Sequence, residues 1–582
     1  MKKKLKKPGQ QIKAAPTVND PGKNRITDTV MKRCIIAVFI VALIFIVFSP
    51  AEKNQFLEWD DNIYITENTL IRDLSPGGLH KIFTTFYGGN YHPLTALTNA
   101  IEYYFAGTDP KLYHLVNVAM HALNAILVFM LVLLLSGRIE AGAIASLFFA
   151  VHPMHVESVV WASELKDVLY SFFFLLSLIF YLVSLRGTRK PLWHALTIAA
   201  FLLSLLSKSA AVILPIALLL MDYYEDRKIQ WRLLLEKSHF FILSLLFGLL
   251  ALKSQEAAGA IHSLNPYGYV GRLLIPLHNI YLYLWKCLVP VNLTAFYPFP
   301  VVGLPLPLGY YAAPLILAAL AYAVARSRVF RRELIFGTLF FVVNLLLVVQ
   351  VLSLGPTVAA ERYTYVPYIG LFFIIAQAWC SLFDRTAAGF AVARAALLAL
   401  LIGAVASCAI GSYKRTQVWY STFTLFDDAV RKGPPSPIPL NKRGVAFYDA
   451  GDYPGAINDL TRSIALDNGD FETFLNRGTS KFALKDYRSA LDDFYEALKL
   501  KPGSATVLVN CGNALAVLGD IDKALEFFTK ALAIEPMNGA AHYNYGQLMA
   551  TRGDTATACS EWRIARDLNF PDAQPVLDRL CR

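Results

Sequence analysis

Two adjacent carboxylates, Asp60 and Asp61, stand in the sequence FLEWDDN, a few residues after the first apolar segment ends. If that segment spans a membrane, the pair lies at the far mouth of the membrane domain. A carboxylate held there can act as a general base on a hydroxyl group. A solvated loop or a helix N-terminus is the alternative from the same residues. Either carboxylate could be the base.

A histidine pair follows further along the chain. His152 and His155 are three residues apart in HPMHVE, and Glu157 comes two residues later. Histidines at i and i+3 share one face of a helix and could bind a metal. There is no motif such as HExxH, so the expectation is no metal but a turn at the membrane surface, with structural or anion-contacting histidines.

Three cations are candidates for contact with a lipid phosphate. Lys166 lies in ELKD, where it could contact a phosphate or, with Glu164 and Asp167, form a solvated turn. Lys208 is the only charge between two apolar segments, a position that is more often functional than decorative, although snorkelling is the alternative. The third cation is Arg362.

Arg362 follows Glu361 in AAERYTYVP. A guanidinium facing a lipid phosphate is one interpretation, because its fork matches phosphate oxygens. A Glu361–Arg362 pair that holds the loop is the other. The sequence has no Walker loop, no GxGxxG after a strand and no GxSxG, so nucleotide hydrolysis and acyl transfer at a known motif have no support.

The composition is that of a polytopic membrane protein. Of 582 residues, 55% are apolar and 17% charged, against about 25% charged in soluble domains. Apolar runs alternate with short basic loops. The net charge is +11, and the basic residues lie near the ends of the apolar segments. This pattern favours an anionic membrane face rather than nucleic acid as the partner.

Eleven spans are predicted in a membrane domain over residues 34–412, after a basic cytoplasmic tail over 1–33. Residues 50–111 form a long first outer loop, in which 90–107 is an amphipathic helix at the interface. The spans are predicted at 31–50, 112–135, 141–152, 168–185, 192–206, 210–221, 240–252, 308–325, 334–354, 364–382 and 391–412.

The apolar stretch over residues 272–290 is left out of the spans. Counting it would place the basic loop after residue 325 outside the membrane and break the positive-inside rule. It also holds Pro276, His278, Asn279 and Lys286, which are costly in lipid. We therefore expect an outer re-entrant or interfacial helix, and a C-terminus outside.

The C-terminal part repeats every 34 residues, which is the period of tetratricopeptide repeats. Residues 438–582 form four repeats after a linker helix over 413–437. Such an array holds an extended peptide or another protein on its concave surface. Cys559 and Cys581 could pair in an oxidising compartment. Three columns keep the period: Gly444, Gly478, Gly512 and Gly546; Ala456, Ala490, Ala524 and Ala558; Asp452, Asp486, Asp520 and Asp554.

The chain resembles a known family in a series of segments that occur in a fixed order. They are WDD, YHPLTALTN, YHLVNVAMHALN, HPMHVESVVWASELKDVL, LSKSAAV, AERYTYVPYIG and the repeats. The family is the transmembrane and tetratricopeptide repeat-containing O-mannosyltransferases with their bacterial relatives. The resemblance covers about residues 34–573. It implies an all-α fold, with a GT-C glycosyltransferase bundle before the repeat solenoid.

The resemblance also implies a polyprenyl- or dolichyl-phosphate sugar donor and transfer to Ser or Thr outside the cytosol. An acidic residue of the first outer loop is then the base, which maps onto Asp60 or Asp61. Lys208, Arg362, Lys166, His152 and His155 would bind the donor phosphate. Glu157 and Glu361 would support these residues. Direct displacement would invert the configuration at the anomeric carbon of the sugar. The short repeat array suggests a bacterial inner membrane, with periplasmic repeats.

Two other functions fit the same sequence. A non-catalytic membrane scaffold would tether the repeats to an inert bundle. A ligase would transfer a whole lipid-linked glycan, although such enzymes usually carry their large outer loop late in the membrane domain. A transporter fits less well, because the spans show no internal repeat.

Overall fold

The computed structural model describes residues 21–259, 267–350, 355–386 and 391–581. Most of the predicted cytoplasmic tail lies outside these residues. Within them the elements are helical, apart from an antiparallel ribbon of β1 (Tyr297–Pro298) with β2 (Thr357–Ala359) and one isolated bridge between Tyr87 and Asn90. The predicted all-α class is confirmed.

The part of the chain before the repeats folds into α1 to α16. Their bounds are α1 Pro21–Val47, α2 Pro76–Thr84, α3 Pro93–Ala106, α4 Pro110–Ser136, α5 Ile139–Val151, α6 Val156–Val160, α7 Leu165–Arg186, α8 Lys190–Ser207, α9 Leu214–Tyr224, α10 Trp231–Glu236, α11 Ser238–Ala257, α12 Gly268–Leu288, α13 Leu308–Arg326, α14 Arg331–Leu345, α15 Tyr368–Arg385 and α16 Ala391–Val418.

Among the described helices, seven are long and apolar enough to cross a membrane, in α1, α4, α7, α8, α11, α13 and α16. The bent pair of α5 and the following Pro153–Val160 makes eight if it counts as one span. The chain is a multi-pass membrane protein. The predicted number of eleven is not reached, because α9 has 11 residues and α14 has 15, short of the roughly 20 that a span needs. Helix α15 is not among the seven candidate spans either.

Helix α12 holds the stretch that was left out of the predicted spans. It is 21 residues long with Pro276 inside, and it is not among the candidate spans. Its polar side chains contact protein: the Asn279 amide donates to the Val358 carbonyl at 2.7 Å, and the Lys286 ammonium donates to the Val291 carbonyl at 2.5 Å. Its depth in the membrane stays a prediction.

The first outer loop is a folded layer on the membrane helices. Ile65, Ile71 and Ile82 pack with Ala100 of α3 in a small buried cluster that also includes Ala162, just before α7. Burying such apolar side chains contributes roughly 1.5–3 kcal/mol each. The loop is thereby fixed against the start of α7.

Helix α4 positions the same region from the other side. Asp109 caps its first turn by accepting from the Lys111 N–H, and the helix ends where Gly137 adopts a left-handed φ of +69°. Its buried amides reach across to α7 and to the turn before it. Asn117 donates to the Trp161 carbonyl at 2.9 Å, and Asn124 donates to the Val168 carbonyl at 2.8 Å.

The repeats form helix pairs after α17 (Thr422–Lys432), and a last helix closes the array. The bounds are α18 Pro437–Asp449, α19 Tyr453–Leu466, α20 Phe471–Ala483, α21 Tyr487–Leu500, α22 Ala505–Val517, α23 Ile521–Ile534, α24 Gly539–Thr551, α25 Thr555–Asp567 and α26 Ala573–Leu580. Cys559 and Cys581 form a disulfide between α25 and the end of α26.

Each periodic column has a structural role. The four alanines are fully buried. The glycines lie where the paired helices approach most closely: a Cβ at Gly512 would lie 2.5 Å from the Phe528 ring. The aspartates are N-caps, so that Asp520 accepts from the Lys523 N–H at 3.3 Å. These three devices, repeated every 34 residues, set the helix boundaries and packing of the array.

The predicted linker helix is replaced by two elements. Helix α16 continues to Val418, and α17 follows after a short break. Leu425, Phe426 and Ala429 of α17 are buried in the same core as the membrane helices. Helix α17, which leads into the repeat array, is therefore packed on the membrane domain.

Candidate functional site

Glu164 is the centre of a buried charged cluster. Its carboxylate lies 3.3 Å from Lys166 Nζ, 3.4 Å from Arg362 Nε and 3.6 Å from Lys208 Nζ. The three cations come from separate segments: the start of α7, the end of α8 and the turn before α15. The fold thus brings together Lys166, Lys208 and Arg362, which the sequence analysis nominated independently.

Further carboxylates hold these cations from behind. Arg362 is paired with Glu157, which also accepts the Arg362 backbone N–H at 3.2 Å, and Lys208 is paired with Asp167. The side chains of Lys166, Arg362 and Lys208 are 9%, 16% and 18% exposed, whereas Glu157, Glu164 and Asp167 are at most 4% exposed. The cations therefore form the accessible layer, where an anion would meet them first.

Arg362 is also fixed by aromatic rings. Its guanidinium carbon lies 5.5 Å from the centroid of the Trp161 ring and 5.1 Å from that of Tyr363. Cation–π contacts of this kind contribute about 0.5–2 kcal/mol. Both predicted roles of Arg362 are compatible with this position, but its carboxylate partners are Glu157 and Glu164 rather than the adjacent Glu361.

Asp60 lies at the edge of the cluster. Its Oδ2 is 3.9 Å from Lys166 Nζ, and 31% of its side chain is exposed. It is the most accessible carboxylate beside the three cations. An exposed carboxylate next to a cation can accept a proton from an incoming hydroxyl group.

Asp61 is fully buried and has a different role. Its Oδ1 accepts from the backbone N–H of Ser163 at 2.9 Å and from the Ser163 hydroxyl, and its Oδ2 accepts from the Leu57 N–H at 2.8 Å. Burial raises the pKa of the Asp61 carboxyl to about 6, against the opposing effect of these hydrogen bonds. Its oxygens are already used, so Asp61 fastens the loop and Asp60 is left to face outward.

The loop that carries Asp60 is also docked on α17. Trp59 stacks on Trp161 with ring centroids 4.8 Å apart and lies 5.4 Å from Phe426. The Glu58 N–H donates to the Thr422 hydroxyl at 2.9 Å. Asp60 is therefore held between the cation cluster and α17, the helix that precedes the repeats.

The histidine pair is not part of this cluster. His152 and His155 are 1% and 0% exposed. The His152 ring donates from Nε2 to the Cys287 carbonyl at 3.1 Å, and the His155 ring donates from Nδ1 to the Phe149 carbonyl at 2.8 Å. Aromatic rings, including Tyr368, surround both histidines. We remove them from the phosphate-binding set, because neither ring reaches the accessible face of the site.

Glu361 belongs to a second ion-pair network that joins the membrane domain to the repeats. It accepts from Arg415 of α16 at 3.1 Å, and Arg415 also donates to Asp428 of α17 at 2.7 Å. The neighbouring Asp427 pairs with Arg443 of α18 at 2.8 Å. Glu361, which was predicted to support the phosphate-binding residues, thus links the turn that bears Arg362 to the repeat array.

Glu164 and Asp167 are the residues of the charged cluster that the sequence did not single out as site residues. A solvated turn was one interpretation of ELKD, and the structure overturns it: Glu164, Lys166 and Asp167 are 0%, 8% and 3% exposed. The signal was available, because three charges within four residues open the long apolar helix α7. Charged residues at membrane depth pair with one another and mark functional paths.

The described residues contain no group of three or more His, Cys, Asp or Glu side chains arranged to hold a metal ion. The positive charge that the chain itself places in the site comes from Lys166, Lys208 and Arg362.

Comparison with known proteins finds relatives of one kind. The chain is 34% identical over 115 residues to protein O-mannosyl-transferase TMTC3 of Homo sapiens, which is 20% of this chain and 12% of the relative. It is 35% identical over 154 residues to protein O-mannosyl-transferase tmtc2 of Xenopus laevis, covering 25% and 18%. For TMTC4 of Homo sapiens the identity is 30% over 172 residues, covering 26% and 23%. The chain thus spans less than a quarter of these relatives' own length.

The repeat region has matches of its own. The tetratricopeptide repeat family model matches residues 505–538. The crystal structure of MamA is 23% identical and covers 28% of this chain and 97% of that chain, with a TM-score of 0.25, too low to support an argument. The relatives and the repeat together confirm that the chain resembles the transmembrane and tetratricopeptide repeat-containing O-mannosyltransferases.

Proposed function

We propose that the chain is a membrane protein O-glycosyltransferase. It moves a hexose such as mannose from a polyprenyl-phosphate donor to Ser or Thr hydroxyls of exported proteins, with inversion. The observation that carries the proposal is the convergence of Lys166, Lys208 and Arg362 beside the accessible carboxylate of Asp60. The names of the relatives support the activity class.

The roles follow from the charges. The donor phosphate meets the accessible layer formed by Lys166, Lys208 and Arg362, and its lipid tail lies along the membrane helices. Asp60 takes the proton of the acceptor hydroxyl as its oxygen attacks the anomeric carbon. The bond from that carbon to the phosphate oxygen breaks, and its electron pair leaves with the lipid phosphate. The three cations stabilise the negative charge that grows there.

The carboxylates behind the cations keep this arrangement in place before the donor arrives. Glu157, Glu164 and Asp167 fix three flexible cationic side chains in one geometry. Preorganised charges cost no rearrangement when the leaving group develops charge. The negative charge of the phosphate is neutralised by Lys166, Lys208 and Arg362.

The repeat array delivers the acceptor. Helix α17, which leads into the array, is packed on the loop of Asp60 through Trp59, Phe426 and Thr422. A polypeptide held on the concave surface of the repeats therefore has a fixed route to the base. The proposal places the repeats outside the cytosol, in the periplasm of a bacterial inner membrane. The disulfide between Cys559 and Cys581 supports an oxidising compartment.

Glycoproteomics of the exported proteins tests the proposal. Strains that express wild type, Asp60→Asn or the exposed control Asp109→Asn at matched membrane levels are compared with a deletion strain. Hexose-modified Ser or Thr peptides are expected in wild type and control and absent in Asp60→Asn and the deletion. Modified peptides that persist in the deletion strain would refute the proposal. Loss of a lipid-linked glycan product instead would favour the ligase, and no change in either product would favour the scaffold.

A further inference from the structure

A cleft opens beside the charged cluster, between the first outer loop and the start of α7. It holds about 30 Å³ of enclosed space and continues into a wider region that is open to solvent. Ser163 and Lys166 form one wall, and the beginning of α3 forms another. Lys166 Nζ lies 4.6 Å from the centroid of the Tyr64 ring and 3.3 Å from Glu164. Lys166 is thus shared by the cleft and the charged cluster.

Apart from Lys166, the polar lining of the cleft is uncharged. Two tyrosines and several amides face it, among them Tyr64, Tyr87, Asn90 and Asn99. The Asn90 amide donates to the Tyr64 hydroxyl at 2.7 Å and holds that ring in place. Aromatic faces with amide groups suit a ligand that has both C–H faces and hydroxyl groups. This lining differs from the adjacent cluster, where every group is ionic.

Two buried polar atoms at the cleft have no hydrogen-bond partner. They are Oδ1 of Asn99, a residue that is 3% exposed, and Nε2 of His92. Burial, together with the nearby charges of Lys166 and Lys208, lowers the pKa of His92 to about 3, so the imidazole is neutral at physiological pH. A buried polar atom without a partner costs about 1–3 kcal/mol. That cost is removed when a ligand offers a hydroxyl group.

We propose that this cleft holds the hexosyl group of the lipid-phosphate donor. Sugar hydroxyls hydrogen-bond to Asn99 and His92, and Tyr64 packs against the ring of the sugar. The anomeric carbon then lies next to Lys166 and Asp60, and the phosphate lies on Lys166, Lys208 and Arg362. This inference rests on the proposed function, and it adds the residues that recognise the sugar.

The test measures binding of two probes to the full-length protein in detergent. One probe is a short-chain polyprenyl-phosphate mannose, and the other is the same polyprenyl phosphate without the sugar. The variant is Asn99→Leu, which keeps the approximate size of the side chain and removes its polar atoms. The control is Asn513→Leu in the repeats. Melting temperatures are measured without ligand.

We expect Asn99→Leu to raise the Kd of the sugar donor about three- to tenfold, as the loss of one hydrogen bond predicts. The Kd of the bare lipid phosphate stays at the wild-type value. The melting temperature stays equal or rises, because an unsatisfied buried atom is gone. Asn513→Leu changes neither Kd.

Four results would overturn the inference. If both probes weaken equally, Asn99 has a structural role; if neither weakens, the sugar does not contact it. If wild type binds both probes with the same Kd and Asn99→Leu changes nothing, the cleft does not recognise the sugar, and the proposed function stands without it. If wild type binds neither probe, the proposed function fails and the sugar site fails with it.

Discussion

The buried carboxylate of Asp61 accepts hydrogen bonds from both the backbone N–H and the hydroxyl of Ser163, 102 residues further along the chain. This contact joins the loop of Asp60 to the turn that leads into Glu164 and Lys166. It therefore fixes the 3.9 Å between Asp60 and Lys166. The two adjacent aspartates thus differ in role: Asp61 fixes the geometry, and Asp60 stays exposed beside Lys166.

The pH dependence of stability reports the burial of Asp61. Its pKa is raised from 3.8 to about 6 in the folded protein, so the folded state binds the proton more tightly than the unfolded chain. The resulting stability is fully present below about pH 4 and is lost as pH rises through about 6. Asp61→Asn is neutral throughout. We expect the melting temperature of wild type minus that of Asp61→Asn to fall between about pH 4 and 6.5; a constant difference would contradict the assignment.

Removal of the charge of Glu164 is expected to destabilise the protein strongly. Glu164→Gln leaves Lys166, Lys208 and Arg362 without their common carboxylate, and such a loss costs about 3–5 kcal/mol. The readout is the melting temperature in detergent, with exposed Glu67→Gln as the matched control. Polyprenyl phosphate should restore part of the loss, because its charge replaces that of the carboxylate. A melting temperature equal to that of the control would contradict the central place of Glu164.

Lys208 is expected to act on the donor. Lys208→Met removes a charge-assisted contact worth about 1.5–3 kcal/mol, so the KM for the lipid-phosphate donor should rise at least tenfold, with a fall in kcat from weaker stabilisation of the leaving phosphate. Lys208→Arg should recover most of the activity, and exposed Lys111→Met should behave as wild type.

His152→Ala should lower stability through lost packing. If His152→Ala at full folding raised the donor KM as much as Lys208→Met, our removal of the histidine would be wrong.

The close helix contact at Gly512 makes a prediction about the repeats. Gly512→Ala places a methyl group against the Phe528 ring, and overpacking of this kind costs about 1–3 kcal/mol. Hydrogen exchange of α22 and α23 in the full-length protein should accelerate. Gly503→Ala is the matched control, since nothing lies within 4 Å of a Cβ there. Unchanged exchange in Gly512→Ala would show that the paired helices can separate without cost.

The repeat array was predictable because its rules are local. Glycine and alanine columns at a period of 34 need only the neighbouring helix, and Asp520 caps a helix three residues away. The membrane domain follows longer-range rules. The apolar runs at 210–221 and 334–354 resemble spans, but their helices, α9 and α14, are too short to cross, and each buries much of its surface against other helices.

The site was predictable in its members but not in its arrangement. Lys208 was found because an isolated charge among apolar residues needs a reason, and Arg362 because a guanidinium fork matches phosphate oxygens. Which of Asp60 and Asp61 is accessible depends on Ser163, and local sequence does not contain that contact. His152 was predicted to bind the phosphate and Glu164 was not, because local sequence does not contain the contacts that bury His152 and gather three cations around Glu164 either. Burial of the turn before α7 is imposed by the first outer loop folding over it.

The most direct test is sugar transfer by the purified protein, with polyprenyl-phosphate mannose and a Ser/Thr peptide from an exported protein. Asp60→Asn is compared with wild type, and donor binding is measured in parallel. Loss of a general base should lower kcat by about 10²–10⁴-fold while the donor Kd and the melting temperature stay near wild type. Transfer by Asp60→Asn at the wild-type rate would contradict the account.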